Sequence, residues 1–362
     1  MTIIMDKVGI LAINPGSTTT KVAVYLDTDV VFTDTISHTH EELHKFGHVS
    51  DQFEYRKKLI MEQIKISGID KNIIYAVVGR GGLLKPIESG VYSVNDKMKH
   101  DLTHCHFGEH ASNLGGLLAD ELAKLFPKAK AYIANPIVVD EMEDIARISG
   151  HPLFERRSVF HALNQKAVAN IYAKSTDRDY NDLNLIVAHI GGGISIGAHE
   201  KGRVVDVNQA LDGEGPLSPE RSGTLPAGDL IRECFRGEYN EEQMLEKVTG
   251  DGGFVAYLGT NSAIEVEKRI SAGDEKASLI FRAMAYQVAK MIGAMFTVLK
   301  GDVDVILLTG GVAHSKLFVS LVTERINKLA PVNVYPGEDE MHAMAMNGLG
   351  VVTGEIEVKE YV

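Results

Sequence analysis

Small, hydroxyl-bearing and basic residues follow the first apolar run of the chain. The stretch ILAINPGSTTTKVAVY covers Ile10 to Tyr25, and it turns at Asn14-Pro15-Gly16 before four hydroxyl residues and Lys21. A strand, a tight turn and a second strand predict a β-hairpin. Backbone N–H groups and one ammonium at such a tip suit a phosphate group. An ordinary polar turn has the same composition, so this stretch alone favours a phosphate site only slightly.

Glycine turns follow two further apolar runs. Leu185–Ala188 leads to Gly191-Gly192-Gly193 and then to a strand that carries Ser195. The order of strand, turn, strand, charged turn and strand repeats that of the N-terminal stretch, which predicts an internal duplication. Three glycines let the backbone approach a phosphate closely. A third run, VDVILLTGGVAHS, places Gly310-Gly311 between a strand and a helix, where a flat or anionic ligand can sit against the helix N-terminus.

An arginine stands among glycines where another predicted strand ends. Ile73 to Val78 reads as a buried strand, and Gly79-Arg80-Gly81-Gly82 follows it. A guanidinium binds a carboxylate or a phosphate through two hydrogen bonds, so Arg80 is predicted to bind an anion, with a surface salt bridge as the alternative. Leu83 and Leu84 come next and predict either the wall of an apolar pocket or part of the core.

Three motifs in this order resemble one protein family. They are Asn-x-Gly-Ser-x-x-x-Lys at 14–21, His-x-Gly-x-Gly-x-Ser at 189–195 and Thr-Gly-Gly at 309–311. Together they resemble the acetate and butyrate kinases, a family within the sugar kinase, Hsp70 and actin superfamily. The segments RGGLLKPIESGVY, GEHASN and PERSGTLP are similar to the butyrate kinase branch in particular.

The resemblance implies an α/β fold with two duplicated actin-like ATPase domains and a nucleotide cleft between them. It implies that residues 1–157 and 340–362 form the acyl and phosphate domain, and that residues 158–339 form the nucleotide-binding domain. The implied reaction transfers the γ-phosphoryl group of ATP to butyrate, giving butyryl phosphate and ADP. Branched-chain fatty acid, propionate and acetate kinases are the near alternatives. A non-catalytic ATP-dependent switch is the alternative from another class.

The resemblance also implies roles for individual residues. Arg80 and Arg221 hold the carboxylate and the transferring phosphoryl group, His189 donates a hydrogen bond to that group, and His110 lies close to the same centre. Asn14 and Glu340 help to place Mg²⁺. The residues implied to contact ATP lie at turns: Ser17, Thr19 and Lys21 at the phosphate tip, Gly191, Gly192 and Gly193 around the β- and γ-phosphates, and Gly310 and Gly311 against the adenosine.

One residue departs from the family pattern. Asn135 stands where the family usually has an aspartate, and Asp140 follows five residues later. Asparagine cannot act as a base and holds Mg²⁺ less well. A carboxylic acid has a pKa of about 4–5 and is ionised at neutral pH, so the acyl acceptor needs no base. An alcohol acceptor needs proton removal, so Asn135 argues mildly against a sugar kinase.

Two histidine-rich stretches match metal-site patterns. His40-Glu41-Glu42-Leu43-His44 fits the His-Glu-x-x-His zinc motif, and His104 and His106 flank Cys105. The first stretch is predicted to be a solvated helix face because no third ligand accompanies it, and the second is predicted to be incidental. A zinc hydrolase built on His40 and His44 is therefore a distant third hypothesis.

Composition restricts the class of protein. The 362 residues carry a formal net charge of -12, so nonspecific binding to nucleic acid is not expected. Two cysteines give no disulfide framework, which favours a reducing, cytoplasmic compartment. No signal-peptide pattern precedes the first strand, and no apolar run of about 20 residues is apparent. The family resemblance implies a homo-oligomer.

Further elements are predicted to position these residues. Residues 36–66 are predicted to be mostly helical and polar, and Asn208–Pro226 is a long loop that carries Arg221. Asp274–Gly301 is the longest predicted helix, with Asp274 as its N-cap and a core stripe of Ile280, Met284, Val288, Met291 and Met295. The other predicted elements are helices at Gly108–Phe126, Asp140–Ile148, Ser158–Lys174 (with Ser158 as N-cap) and His314–Leu329, a strand at Tyr132–Val139, and a C-terminal helix from Met341.

Overall fold

A computed structural model describes residues 7–362, and of His40 it describes the backbone alone. Its contacts divide the chain into two compact units. The first contains the described residues through Val139 together with Asp339–Val362, and the second contains Asp140–Glu338. Each unit is built on a mixed β-sheet with helices packed on it.

The described residues form strands and helices of ordinary length. The strands are β1 Gly9–Pro15, β2 Thr19–Leu26, β3 Asp29–Ser37, β4 Ile74–Arg80, β5 Val91–Ser93, β6 Lys130–Ala134, β7 Asn184–Ile190, β8 Ile194–Glu200, β9 Arg203–Val207, β10 Val305–Gly310, β11 Val332–Pro336 and β12 Val358–Lys359. The α-helices are α1 His40–Leu43, α2 Phe53–Ser67, α3 Asp96–Thr103, α4 Asn113–Ala123, α5 Asp144–Arg147, α6 Ala162–Ser175, α7 Ala227–Cys234, α8 Glu241–Thr249, α9 Gly253–Leu258, α10 Ala263–Ser271, α11 Glu275–Val298, α12 Lys316–Ile326 and α13 Glu340–Thr353.

The two sheets repeat one topology. The first has the order β12-β5-β6-β4-β1-β2-β3, and the second has the order β11-β10-β7-β8-β9. In each, three antiparallel strands in a row (β1-β2-β3 and β7-β8-β9) are followed by two parallel neighbours (β4-β6 and β10-β11). A register shift interrupts the second antiparallel pairing in both sheets. This match confirms the internal duplication that the sequence predicts.

Helices bury both faces of the first sheet. Helices α2 and α4 cover one face through an apolar cluster that includes Leu11, Val77 and Leu118. Helix α13 packs on β1 and β4, and a Cβ added at Gly348 would lie 2.7 Å from a Val78 methyl group. Gly348 therefore lets the last helix approach the sheet closely.

The second sheet is sandwiched in the same way. Helices α11 and α12 bury apolar side chains against one face, and α6 covers the other through residues such as Val168 and Ala169. The Asp274 side chain accepts a hydrogen bond from the Ala277 N–H, which confirms it as the N-cap of α11. The predicted stripe is buried or half-buried in the core.

Helix α11 corrects one expectation about hydropathy. By length and composition it is long and apolar enough to cross a membrane, whereas no apolar run of that length was predicted from the sequence. Its buried side chains, including Ile280, Met284 and Val288, form the core of the second unit. An amphipathic core helix of this length meets the same criterion as a membrane span, so the finding has a structural explanation.

Several predicted boundaries are wrong. The helix assigned to Ser158–Lys174 begins at Ala162 with His161 as its N-cap residue, so Ser158 does not cap it. The strand assigned to Tyr132–Val139 spans Lys130–Ala134, and only Asp144–Arg147 of Asp140–Ile148 is helical.

Two further helices are shorter than predicted. The stretch 36–66 starts as the end of β3, and its main helix starts only at Phe53. The helix assigned to Gly108–Phe126 begins at Asn113, and the one assigned to His314–Leu329 is α12 after a 3₁₀ turn at Gly311–His314.

Candidate active site

Three predicted site residues meet at one end of the first sheet. Strands β1 and β4 are parallel neighbours, so Asn14 and Arg80 lie at adjacent C-terminal ends. Glu340 opens helix α13 and accepts from both: Asn14 Nδ2 lies 2.7 Å from Glu340 Oε2, and Arg80 Nη1 forms an ion pair with the same oxygen. Arg80, Asn14 and Glu340 therefore form one polar cluster.

A buried arginine that the sequence did not indicate holds the turn between β1 and β2. Arg56 on α2 is 1% exposed. Its guanidinium donates to the Gly16, Ser17 and Thr19 carbonyl oxygens at 2.8 to 3.3 Å. It also donates to Thr20 Oγ1 at 2.9 Å. These bonds fix the backbone of the turn and leave Ser17 and Lys21 exposed, with Thr19 half-buried.

His38 completes the support of this turn. Its Nε2 lies 2.8 Å from Thr20 Oγ1, and its ring packs edge-on against Tyr55. Burial, with a smaller contribution from the Arg56 charge, lowers the pKa of His38 to about 4. His38 is therefore neutral at neutral pH and acts as a structural hydrogen-bond partner.

Glycines let α4 approach the end of β4 that carries Arg80. A Cβ at Gly79 would overlap the Gly115 carbonyl, and one at Gly82 would lie 2.5 Å from Asn113 Cα. The Asn113 side chain accepts from the Leu83 N–H at 2.8 Å and donates to the Gly108 carbonyl at 2.9 Å. Asn113 thus fastens two loops together, and it does not offer its amide to a ligand.

His110 lies on the loop before α4. The Ser112 N–H donates to His110 Nδ1 at 3.1 Å, and Ser112 Oγ lies 2.8 Å from the same nitrogen. An accepting Nδ1 places the proton of the neutral ring on Nε2. The His110 side chain is exposed on the first unit.

Leu83 and Leu84 were predicted to form either a pocket wall or part of the core, and their surroundings differ. Leu84 is buried in a cluster with Tyr92, Met98 and Ile133, so it belongs to the core. Leu83 is only partly buried against that cluster. Of the two, only Leu83 is placed where it could contact a ligand.

Asn135 has a structural role in this chain. Its φ is 40°, and its Oδ1 accepts from the Gly90 N–H at 2.8 Å while its own N–H donates to the Gly90 carbonyl. Asparagine tolerates the left-handed region better than most residues. Asp140 forms two hydrogen bonds of 2.6 and 2.7 Å with Arg147. Both side chains therefore already have protein partners.

In the second unit, His189 lies at the end of β7 between two acceptors. Its Nδ1 lies 2.8 Å from Asn164 Oδ1, and its Nε2 lies 3.3 Å from a Glu338 carboxylate oxygen. The His161 ring stacks on it with 3.8 Å between centroids and 10° between planes. His189 is 1% exposed, so its ring is fixed in position.

A chain of hydrogen bonds supports this histidine pair. Tyr180 Oη lies 2.7 Å from His199 Nδ1, and His199 Nε2 lies 2.9 Å from Gln165 Oε1. Gln165 Nε2 then donates to Ser195 Oγ at 2.8 Å, and Ser195 Oγ lies 2.9 Å from His161 Nδ1. Because the Gln165 oxygen can only accept, His199 carries its proton on Nε2 and accepts from Tyr180. Burial lowers the pKa of His199 to about 3.

Arg221 packs directly on the glycine turn. A Cβ at Gly193 would overlap Arg221 Nη1, and the same nitrogen donates to the Ala210 carbonyl. The Ser218 hydroxyl accepts from the Arg221 N–H at 3.0 Å and donates to the Gly192 carbonyl at 2.5 Å. Burial lowers the pKa of Arg221, and the Glu220 and Asp212 charges oppose that shift. The predicted site residues His189, Gly191–Gly193 and Arg221 are therefore brought together.

One donor of Arg221 lacks a partner. Its Nε is buried and makes no hydrogen bond to any residue that the structure describes. A buried guanidinium N–H left unpaired costs about 1–3 kcal/mol or more. Such a donor beside a glycine turn is suited to an anionic ligand.

Gly310, the last residue of β10, and Gly311, which follows it, differ in the space around them. Gly310 has φ 91°, and a Cβ there would overlap the Ile190 backbone, so strand packing alone requires glycine. A Cβ at Gly311 meets no atom within 4 Å. Gly311 thus faces open space, where a ligand can lie.

The residues that sequence reasoning missed are supports. Arg56, Asn164, His161 and Gln165 belong to no motif, and each acts on a partner distant in sequence. The zinc pattern at residues 40–44 includes the side chain of His40, which lies outside the described part of the chain.

Comparison with known proteins identifies the family. Residues 150–353 match the model of the Acetokinase family. The chain is 53% identical over 355 residues to "Butyrate kinase 2" of Clostridium acetobutylicum, covering 98% of this chain and 99% of that protein.

Solved structures share the fold. The acetate kinase of Porphyromonas gingivalis matches with a TM-score of 0.78 at 20% identity, covering 95% of this chain and all of that one. A propionate kinase of Francisella tularensis matches with a TM-score of 0.72 at 17% identity, covering 94% of this chain and 98% of that one. These two matches show the fold. The family model over residues 150–353 and the 53% identity over nearly the whole chain show that the chain belongs to the acetokinase family.

Proposed function

We propose that this protein is a short-chain fatty acid kinase that converts butyrate and ATP to butyryl phosphate and ADP. The 53% identity to a protein named butyrate kinase over nearly the whole chain supports this activity. Branched-chain acids, propionate and acetate are the next acceptors, since one methylene in an apolar pocket changes binding by only about 1–3 kcal/mol.

The observation that carries the proposal is the unpaired, buried Nε of Arg221 against Gly193. A cation held on a glycine turn with a free donor is matched by a phosphoryl group, whose oxygens accept from guanidinium N–H groups. His189 lies at the end of the strand that leads into the same turn. A switch protein that only binds ATP has no need for a residue that binds the acid, which is the role proposed here for Arg80.

The proposed phosphoryl transfer needs no general base. A carboxylate oxygen of the acid attacks the γ-phosphorus, a new O–P bond forms, and the bond from the bridging oxygen to that phosphorus breaks, so the electron pair leaves with ADP. The acid is ionised at neutral pH, and no proton has to move. In this proposal, Arg80 holds the carboxylate of the acid. Arg221 and His189 donate hydrogen bonds to the oxygens of the transferring phosphoryl group and so stabilise its negative charge in the transition state. His110 is proposed as a further hydrogen-bond donor to the substrates.

In this proposal, Asn14 and Glu340 of the first unit hold a magnesium ion. Asn14 and Glu340 lie side by side and both bear oxygen ligands of the kind Mg²⁺ prefers. Asn14 has to turn its amide oxygen toward the ion. When bound, Mg²⁺ neutralises charge on the ATP phosphates.

We propose that ATP contacts the β1–β2 turn and the glycine turn between β7 and β8. Ser17, Thr19 and Lys21 offer hydroxyl and ammonium donors to phosphates, and the Gly191–Gly193 backbone lies close to Arg221. Gly311 offers an open surface to the adenosine, while Gly310 contributes by keeping β7 and β10 close. We also expect a reducing, cytoplasmic setting, because Cys105 and Cys234 are both free thiols, and we expect a homo-oligomer.

A series of acids tests the activity. Acyl phosphate formed from MgATP is trapped with hydroxylamine, using acetate, propionate, butyrate, isobutyrate and valerate as acceptors. We expect kcat/KM to be highest with butyrate or isobutyrate. A maximum at acetate would overturn the butyrate assignment, and ATP hydrolysis that ignores every acid would overturn the kinase assignment.

Replacing Arg221 tests the observation that carries the proposal. Arg221→Gln should lower kcat with butyrate by about 10³-fold, in the range seen when one charge-stabilising donor is removed. Arg232→Gln is the matched control, because Arg232 is exposed and pairs with Asp229 on the surface of α7. Equal kcat values for the two variants would contradict a role of Arg221 in phosphoryl transfer.

A further inference from the structure

Three exposed histidines gather where α3 ends. His100 lies in the last turn of α3, and His104 and His106 lie in the segment that follows it. This group is in the first unit, and none of its members contributes to the reaction described above. From the sequence, only His104 and His106, together with Cys105, were identified as a possible metal cluster.

The spacing places the rings on one surface. His100 and His104 are four residues apart, which is the separation that puts two side chains on the same face of a helix. The same i and i+4 spacing holds two zinc ligands in the His-Glu-x-x-His motif. The ring centroids of His100 and His104 are 4.3 Å apart, and those of His100 and His106 are 5.2 Å apart.

The ring nitrogens converge. One ring nitrogen from each of the three residues lies within 4.8 Å of the others. Zn²⁺ bonds to imidazole nitrogen at about 2.0–2.1 Å, which puts tetrahedral ligand atoms about 3.3 Å apart. Small rotations of exposed side chains close that difference.

Hydrogen bonds already orient two of the rings. His104 Nδ1 lies 2.8 Å from the His100 carbonyl oxygen, and a carbonyl only accepts, so His104 carries its proton on Nδ1. Its Nε2 is then left with the lone pair that a metal needs. His100 Nδ1 lies 3.5 Å from Asp101 Oδ1, and the Tyr361 hydroxyl donates to the other oxygen of that carboxylate at 2.7 Å. Histidine ligands usually donate their second nitrogen to a carbonyl or carboxylate in this way.

Cys105 is not part of the group. Its Sγ makes long contacts of 3.7 Å to the Leu102 carbonyl and to Asn113 Nδ2, and its backbone has φ 52°. That left-handed residue reverses the chain so that His104 and His106 both face His100. A fourth ligand would come from water, as in zinc sites with three protein ligands.

We propose that His100, His104 and His106 bind one Zn²⁺ ion at the surface of the first unit. Three imidazoles suit Zn²⁺ among the common divalent ions, whereas Mg²⁺ and Ca²⁺ prefer oxygen ligands. The bound ion links the end of α3 to the segment that leads to Gly108, whose carbonyl Asn113 holds. The site is thus a surface clamp on the loop before α4.

Zinc binding to the full-length protein without an affinity tag tests the site. Equilibrium dialysis against Zn²⁺ without nucleotide should give one bound ion per chain. X-ray absorption at the zinc edge should show three imidazole nitrogens as ligands. His104→Gln and His100→Gln should each weaken this binding roughly tenfold or more, because each removes one of three protein ligands.

The control is His151→Gln, which removes an exposed histidine of the second unit. It should leave zinc affinity unchanged. Thermal unfolding in a chelator should be the same for all variants, and only chains with all three histidines should gain in Tm when Zn²⁺ is added. No stoichiometric zinc, or the same affinity in His104→Gln and the wild type, would overturn the proposal. Butyrate kinase activity is measured in parallel without zinc, so that a failure of the site is distinct from a failure of the function.

Discussion

His189 has an acceptor at each ring nitrogen. The amide oxygen of Asn164 faces Nδ1, and a carboxylate oxygen of Glu338 faces Nε2. Both acceptors are satisfied together only when the ring carries two protons. The stacked His161 fixes the ring plane at the same time. We infer that Asn164 is a positioning residue, which keeps a proton on Nδ1 and fixes the direction of Nε2, the nitrogen that faces Glu338.

Replacing Asn164 tests this inference. Asn164→Leu removes the acceptor in a similar volume and should lower kcat about tenfold or more with little change in KM, because the ring can then turn or shift its proton. Asn164→Asp keeps an acceptor and should retain most of kcat. Its negative charge favours the doubly protonated ring, so the alkaline limb of the pH–rate profile should move to higher pH.

The control for this pair lies on the same helix. Asn170→Leu changes an exposed asparagine of α6 that bonds only to the preceding turn through Lys166. Its kcat and pH profile should match the wild type. A purely structural role for Asn164 would lower the Tm of Asn164→Leu and leave the pH profile of Asn164→Asp in place.

At the residue scale, the sequence indicates candidate site residues where they lie in short motifs. Arg80 stands between two glycines, His189 comes shortly before a glycine turn, and Arg221 lies in a loop rich in glycine and proline. The structure places each at a strand end or on a glycine turn. The sequence did not indicate the role of Arg56 because this residue lies in a polar helix and its partners in the turn are about 40 residues earlier in the chain. Hydrogen bonds over such separations leave no local pattern.

At the scale of elements, glycines set how closely the site segments approach. The turn between β7 and β8 has Arg221 against Gly193 and a Glu220 carboxylate oxygen 3.1 Å from the position of a Cβ at Gly192. The Ser218 hydroxyl then ties the arginine loop to the turn. The loop and the turn therefore behave as one element, although 25 or more residues separate them.

Adding a methyl group at Gly193 should separate the glycine turn from the loop that carries Arg221. Gly193→Ala places a Cβ where Arg221 Nη1 lies, so the guanidinium must move. We expect kcat to fall by an amount similar to that of Arg221→Gln and Tm to fall only modestly, since the change is confined to one turn and the loop packed on it. Steady-state kinetics with butyrate and a thermal melt measure both.

Gly293→Ala is the matched control for that substitution. Gly293 lies within α11, and a Cβ there meets no atom within 4 Å. It should raise stability by about 0.5–1 kcal/mol, because alanine favours a helix interior over glycine. Full activity in Gly193→Ala would contradict the coupling of turn and arginine.

Element boundaries were the weaker part of the sequence prediction. Asp274 caps α11 as expected because its side chain reaches the Ala277 N–H. Ser158 has the same capping chemistry, but the chain continues without helical structure to His161. A capping residue indicates a helix start only where the following residues take helical dihedrals, and the contacts of His161 with Ser195 decide that here.

On the scale of the whole molecule, one supersecondary unit has been used twice with different polar residues. The sheets share their order and their register shift, as the repeated sequence pattern predicts. The first unit carries the ion pair of Arg80 with Glu340, and the second carries the glycine turn with Arg221. Apolar periodicity fixes the common scaffold, and it contains no information about which polar residues each copy acquired.

Each unit also buries one neutral histidine, and this makes stability depend on pH. The pKa of His38 is lowered to about 4 and that of His199 to about 3, chiefly by burial. An unfolded histidine has its pKa near 6.5. Both folded rings therefore stay neutral as the pH falls through 6.5, while the unfolded chain takes up protons. Their stabilising effect is complete above about pH 6.5 and is lost progressively as the pH falls toward about 4 for His38 and about 3 for His199.

We therefore expect the free energy of unfolding to fall between pH 7.5 and pH 5, where carboxylates contribute little. The loss should be on the order of 1–2 kcal/mol for each buried histidine over that range. Urea unfolding at several pH values measures it. His199→Gln should flatten the dependence for the second unit, whereas the exposed His151→Gln should leave it unchanged. Since His199→Gln could unfold that unit, the histidine NMR resonances are followed in the wild type as well. A His199 signal that titrates near pH 6.5 would contradict its burial as a neutral ring bonded to Tyr180 and Gln165.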